Sequence, residues 1–497
     1  MEQGLLFEVR KKPTRKECVS TPCGYNGLTA FHKYWGKKPP ECLAYLIEAL
    51  TFEQEIILDP FVGSGLVARE SAERDRRFIG IDINPIAIKL SKLVVNPPKL
   101  ADFFESFSKI KKNAEPAINT SYSRETGEIG THYLWDGDEL KSVWCIGGKG
   151  RKGRKKSKPL AHDIELFKTY TDYKPRHIRD MKFFTNSRIN ASPQMTISDL
   201  FTGRALRNID LLLEYIKDQK GLVKDALLLT LTGACGQMSK MVFAVSKRGK
   251  TTGKIQEGTS VGSWVIGYWR PNIHFEINVW NCFENRAKRL IKALKSIESS
   301  TFEFSSSCTD VIQSKVNIAL IKGDAKRVLC SLPPASISLI LTDPPHSDRI
   351  PYLELSELWN SILGEEASFE DEIVVSNARE RNKKNCNYTK EMGEFFTNAI
   401  EVLKDGGIMA IIFNASDSES WEYLKVLQAK PDRIKFRGCF PMEYSARSVV
   451  QDTRIGALKH DYVLIYEKYS NGYKGPNRWQ KLIELNGWST FLPRGMS

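Results

Sequence analysis

The chain has 497 residues, and none of its apolar runs approaches the ~18 uncharged residues a membrane span needs, so no membrane partner is expected. Its first residues, MEQGLLFEVRKKPTRK, lack the apolar core of a secretory signal, which leads to the expectation of a cytoplasmic protein. The ten cysteines are scattered from Cys18 to Cys439 with no C-x-x-C pair and no neighbouring histidine cluster. That spacing speaks against a zinc site and against a disulfide framework, and for reduced, packed thiols. No metal is expected.

What the chain has is positive charge. Its 73 basic and 59 acidic residues leave +14, a balance suited to a polyanionic partner, although a solvated basic surface gives the same total. Seven of the ten residues in KGRKGRKKSK, 149 to 158, are basic. Their density reads as a loop that is disordered when free and able to contact phosphates.

Hydrophobic patterning divides the chain. Residues 39 to 52, PPECLAYLIEALTF, open with prolines and place Leu43, Leu46, Ile47 and Leu50 at helical spacing. The run EIILDPF is a short apolar strand that ends on an acid and a turn, GLVARESAERD has helical spacing, and RRFIGIDINP is a second buried strand. This alternation resumes only after residue 315, with NIALIKGDA, SISLILTDPP, IMAIIF, RIKFRGCF and DYVLIYEK. Together they predict a doubly wound α/β sheet of seven strands. The residues between, 97 to 315, are too many for one loop and predict an inserted module. In that module RALRNIDLLLEYIKDQKGLVKDALLLTLTGA reads as two helices broken near Gly221, and EINVWNCFENRAKRLIKALKSI as one long amphipathic helix. The insert is therefore expected to be mainly helical. The expected divisions are 1–96 and 316–470 for the two parts of the sheet domain, 97–315 for the insert and 471–497 for a tail.

Three acids fall at successive strand ends. Asp59 stands beside the LDPFVGSG turn, where Gly63 and Gly65 permit close approach of a ligand to the backbone. Asp82 ends the second strand, where a carboxylate can take both ribose hydroxyls of an adenosine. Asp324, in KGDA, ends the third. Each could instead cap the helix that follows, but the three together point to a nucleoside-type cofactor. A dinucleotide enzyme also fits Asp82; against it, the G-S-G turn has Ala68 where a third glycine would be.

The fourth strand ends in Asp343-Pro344-Pro345-His346. An exocyclic amine of a base is a poor nucleophile because its lone pair is delocalised into the ring. The Asp343 carboxylate and the Pro344 carbonyl can accept both amine hydrogens and favour a more tetrahedral nitrogen, while Pro345 stiffens the loop. The fourth position would stack on a flipped-out base, and His346 offers a planar but smaller face, with Tyr352 and Trp359 near in sequence to supply an aromatic one.

On these residues the chain resembles S-adenosylmethionine-dependent DNA methyltransferases of the amino-methylating group. HKYWGKKPPE, 32 to 41, resembles the HKYW-x-x-K-P opening of one branch of adenine-specific methylases, and DPPHSDRIPYLELSELWN resembles that branch's DPPY segment. The resemblance implies a Rossmann-like methyltransferase fold with S-adenosyl-L-methionine as cofactor. It assigns cofactor contacts to His32, Trp35, Lys38, Asp59, Phe61, Gly63, Gly65, Asp82 and Asp324, and catalysis to Asp343, Pro344, Pro345 and His346. It makes the insert the reader of a DNA target. It also implies methylation of the adenine amine, with the cytosine amine second, and a restriction endonuclease as a partner. Alternatives left open are an RNA amine methyltransferase and a catalytically silent DNA-binding subunit of a host-defence system.

Overall fold

The computed structural model describes residues 24–146, 153–246, 251, 253–264, 267–297, 302–345, 350–413, 422, 424–442, 461–470 and 472–492. Helix α1 (Pro40–Leu50) leads into β1 (Ile56–Asp59), α2 (Leu66–Ala72), β2 (Arg77–Asp82) and α3 (Pro85–Val95). After α4 (Leu100–Thr120) come β3 (Gly130–Asp136), β4 (Glu139–Ile146), β5 (Arg154–Ser157), α5 (Ala161–Lys168), α6 (Gly203–Lys217) and α7 (Gly221–Met238). Then follow β6 (Val242–Val245), β7 (Ser260–Trp264), β8 (Ile273–Ile277) and α8 (Val279–Leu294). The chain continues through β9 (Phe304–Ser305), α9 (Cys308–Ile312), β10 (Ile318–Lys322), α10 (Ala325–Ser331), β11 (Ile337–Thr342), α11 (Tyr352–Leu363) and α12 (Asn385–Val402). It closes with β12 (Leu403–Phe413), α13 (Lys425–Gln428), β13 (Ile434–Met442) and β14 (Asp461–Lys468).

The main sheet has the order β13-β14-β12-β11-β1-β2-β10-β9. From β9 to β12 all neighbours are parallel, whereas β14 runs antiparallel to β12 and to β13. All seven strands read from the sequence take part, but the count is eight. The added strand, β9, is two residues long and pairs at the edge with Ile318 and Ala319 of β10, too short to leave a periodic signal. Alternate residues of the inner strands face opposite layers: Ile56 and Leu58 pack with Phe395 and Phe396 of α12, and Ile57 packs with Leu43 and Leu46 of α1. Strand order reverses between β1 and β11, and there the carboxyl ends of β1, β2 and β11 open a crevice.

Helix outweighs strand in the intervening segment, but the expectation of a mainly helical insert left out a sheet. Alongside its helices it carries a six-stranded sheet of order β5-β4-β3-β8-β6-β7, with antiparallel pairing throughout. Its strands escape a hydrophobic reading because several are only half apolar. β4 alternates exposed, buried and half-buried residues, and β5 is the polar Arg154–Ser157. The last part of the basic run is thus an edge strand paired to β4, where charge discourages further strand addition. Residues 149–152 lie outside the described residues.

No apolar gap separates this segment from the sheet domain. Ile86, Leu90 and Leu93 of α3, with Leu358, Trp359 and Ile362 of α11, join one buried cluster with Leu227 and Cys235 of α7 and Phe283 and Leu290 of α8. Among the described residues no helix is long and apolar enough to cross a membrane.

Candidate functional site

At the crevice, Asp59 leaves β1 buried at 3% exposure, its Oδ1 accepting from the Thr342 hydroxyl (2.8 Å) and the Phe61 amide (3.1 Å). Burial pushes its carboxyl up to about 7, against the pull of those two donors. The folded state therefore holds this proton more tightly than the unfolded chain. Its contribution to stability is full below the ordinary value of 3.8 and is lost as pH rises through about 7. Asp59→Asn, which keeps an oxygen for the same donors, should stabilise the ligand-free protein by ~2–4 kcal/mol at pH 8. The gain should vanish near pH 4. Chemical denaturation at the two pH values checks this.

The turn after Asp59 is built on backbone that glycine tolerates. Gly63 and Gly65 have φ of +51° and +78°, and a Cβ on Gly65 would sit 2.5 Å from Cα of Ser91. This close approach seats the turn on α3. Gly65→Ala should cost roughly 2–4 kcal/mol, from the left-handed backbone plus the clash, read as a lower denaturant midpoint at unchanged slope.

The Gly63 amide donates to Asp82 Oδ2 and the Asn84 amide to Asp82 Oδ1, both at 2.8 Å. Burial again dominates, lifting the Asp82 carboxyl to about 6. Asn84 is tied to α11 by donating to Ser356 Oγ (2.7 Å) and accepting from Asn360 (3.1 Å).

The segment 32–38 runs beside this turn. His32 is buried and held neutral, with burial taking its pKa down to about 3. Its Nδ1 donates to the Lys33 carbonyl (2.7 Å) and its Nε2 accepts from the Thr232 hydroxyl (3.1 Å). It joins the opening segment to α7 and does not line the cavity described next. Trp35 does, its ring 4.8 Å from that of Trp359. Lys37 donates to the carbonyls of Thr29 (2.7 Å) and His32 (2.6 Å), which fixes the segment's path.

One cavity of about 820 Å³, including its mouth, gathers these parts. Its walls carry Trp35, Lys38, Asp59, Phe61, Gly63 and Asp82 from the expected cofactor residues, and Asp343 and Pro345 from the expected catalytic loop. Gly65 supports the turn from behind. Pro344 is buried next to the lining, and the Pro345 carbonyl accepts from the Tyr388 hydroxyl at 2.6 Å. His346 lies outside the described residues.

Of the two aromatic residues noted near the loop, Tyr352 lines the cavity whereas Trp359 is 2% exposed in the core. Asp324 lies elsewhere. Its Oδ1 accepts from the Lys326 amide at 2.9 Å, capping α10, and it faces a separate surface depression with Arg327, Asp371 and Glu391. The strand-end position is as expected; the cavity beside it is not.

Sequence reasoning missed Glu372. It lines the cavity from an irregular stretch, accepts from the Leu353 amide (3.0 Å) and pairs with Arg381 (2.7 Å), and burial raises its carboxyl above the usual range. It belongs to no strand end or motif, so nothing in the chain marks it. Also missed was Asp461, the first residue of β14 and fully buried. Among the described residues no group of three or more His, Cys, Asp or Glu is placed to hold a metal ion.

The segment that builds most of this cavity's wall has known counterparts. Residues 9–93 match the DNA methylase family model. The match takes in the 32–38 segment, the glycine turn and Asp82. Among curated proteins, the chain is 40% identical over 68 residues to Type II methyltransferase M2.LlaDCHI of Lactococcus lactis subsp. cremoris, covering 13% of this chain and 25% of that protein. It is 42% identical over 64 residues to Type II methyltransferase M2.DpnII of Streptococcus pneumoniae, covering 12% and 24%. The chain thus spans about a quarter of the length of these relatives. A solved structure of a candidate DNA modification methylase from Thermus thermophilus, complexed with S-adenosyl-L-methionine, aligns over 32% of this chain and 59% of that one at 16% identity, with a TM-score of 0.20.

Proposed function

We propose that this protein transfers the methyl group of S-adenosyl-L-methionine to an exocyclic amine in DNA, the adenine N6 amine first and the cytosine N4 amine second. The observation that carries the reading is the single cavity onto which Asp82, the glycine turn and Asp343 all open. The 9–93 match and the two Type II methyltransferase relatives favour the same chemistry.

The residues present suit the cofactor. Each Asp82 oxygen spends one acceptor site on a backbone amide and keeps another for a ribose hydroxyl. A Cβ at Gly63 would lie 3.1 Å from the Tyr34 ring, so glycine keeps the turn open to a ligand. Leu66, Val67, Ile83 and Ile373 give the cavity apolar walls for a nucleoside base. When bound, the cofactor supplies an electrophilic methyl on a sulfonium.

The chain's own groups act on the amine. Asp343 and the Pro344 carbonyl accept its two hydrogens, which concentrates the lone pair on nitrogen and aims it. The Tyr388 hydroxyl occupies the Pro345 carbonyl and fixes the loop. Tyr352 offers a ring at the cavity wall on which an extruded base can stack. The positively charged edge strand β5 and its neighbours suit a phosphate backbone, and affinity should fall steeply with salt.

The test is incubation with isotopically labelled cofactor on DNA and RNA separately, followed by mass spectrometry of the nucleosides. The expected product is N6-methyladenine in DNA. N4-methylcytosine would change the base alone. Label found only in RNA, or cofactor bound with no transfer to either, overturns the reading.

A further inference from the structure

Lys38 reaches the crevice from the opening segment, and its ammonium lies 2.9 Å from Asp343 Oδ2 and 3.0 Å from Asp461 Oδ2. The resemblance assigns Lys38 to the cofactor, but the structure gives this ammonium to two protein carboxylates. The three side chains come from distant parts of the chain and meet with little access to water: 7% exposed for Lys38, 18% for Asp343 and none for Asp461.

We propose that Lys38 is a positioning residue for the methyl-transfer step: anchored by Asp461, it holds the Asp343 carboxylate ionised and pointed into the cavity. This rests on the methyltransferase reading above. One buried ammonium shared by two carboxylates cannot swing away without stranding charge, so its geometry is fixed by β14. A cation at 2.9 Å also keeps Asp343 deprotonated and able to accept a hydrogen from an amine.

The other groups facing this triad make the cation more necessary. Asp59 on β1 repels Asp343, and the Cys42 thiol on α1 is pushed up by burial and by Asp461. The Tyr352 hydroxyl and Asp343 Oδ2 both lie 3.4 Å from where a Cβ on Gly36 would stand, which places the opening segment against the triad, and the backbone there, at φ +68°, favours glycine. Asp82 and Glu372 add further carboxylates around the same cavity, while Lys37 is turned onto backbone carbonyls. Asp461 Oδ1 is buried with no hydrogen-bond partner among the described residues, leaving Lys38 as the contact that the structure shows for this carboxylate.

The experiment compares Lys38→Met, Lys38→Arg and Asp461→Asn with the wild type at saturating cofactor and DNA. In Lys38→Met the acidic limb of the kcat–pH profile should move up by at least ~1 pH unit, with kcat at neutral pH down ~10²-fold and cofactor Kd changed by less than ~3-fold. Lys38→Arg should restore the limb. Cofactor Kd raised tenfold or more with the limb unmoved would make Lys38 a cofactor ligand and overturn the proposal. If the wild type transfers no methyl, the methyltransferase reading fails, and the ligand-free protein still tests the triad. Lys38→Met must then lose more stability than Lys38→Arg, because two buried carboxylates are left without their cation. Adding Asp461→Asn must relieve part of that loss. An equal loss in Lys38→Met and Lys38→Arg overturns the triad.

Discussion

Asp343→Ala should lower kcat by on the order of 10³-fold or more while cofactor Kd stays within about threefold. On the proposed reading the side chain is the acceptor aimed at the substrate amine, and among the described residues of the loop the Pro345 carbonyl is already engaged by the Tyr388 hydroxyl. The fold should tolerate the change. Lys38 keeps its 3.0 Å pair with Asp461, so removing Asp343 strands no charge. Calorimetric titration of cofactor beside a single-turnover transfer assay separates the two quantities. Retained transfer would show that another loop handles the amine.

The second large effect concerns binding. Asp82→Asn keeps the outline of the side chain but exchanges one acceptor oxygen for a donor that faces either the Gly63 or the Asn84 amide, each now 2.8 Å from an oxygen. Charge-assisted bonds to the ribose hydroxyls are lost at the same time, and cofactor Kd should rise by roughly 10²-fold or more. The wild type should show a milder version as pH falls. With the Asp82 carboxyl lifted to about 6, affinity should be full at pH 8 and decline through pH 6 as it takes up a proton. Direct titration of cofactor between pH 5 and 8 checks the sign. In Asp82→Asn the decline should flatten, leaving the part contributed by Asp59.

The main sheet was legible because its strands are buried on both faces and end on acids and turns. EIILD, RRFIGID and SISLILT read as uninterrupted apolar runs, and helices such as α7 begin where Gly221 breaks the pattern. The insert's sheet was not legible from apolar runs, since β5 is polar and mostly exposed and β4 mixes buried residues with half-buried and exposed ones. One signal was there to be used. Gly137-Asp138 joins β3 to β4, a two-residue hairpin turn with Gly137 at φ +57°. Within the site, motif position carried Asp59, Asp82 and Asp343 to a common cavity. It also placed Asp324 near its strand end, but on a separate surface depression, where its Oδ1 accepts from the Lys326 amide. Glu372 and Asp461 are contributed by tertiary contact alone, from a stretch and a strand start with no spelling of their own.

On the proposed reading, with the 97–315 segment as the reader of a DNA target, the shared cluster that runs from α3 and α11 into α7 and α8 has a consequence for how that target can change. A recognition piece on a linker could be exchanged whole, like a cassette, and the catalytic half would be indifferent. Here a transplanted insert would present a foreign surface to Leu90, Leu93, Trp359 and Ile362, and the frame of the reaction chamber would come apart with it. New specificity therefore has to be written one exposed side chain at a time onto a frame that stays put.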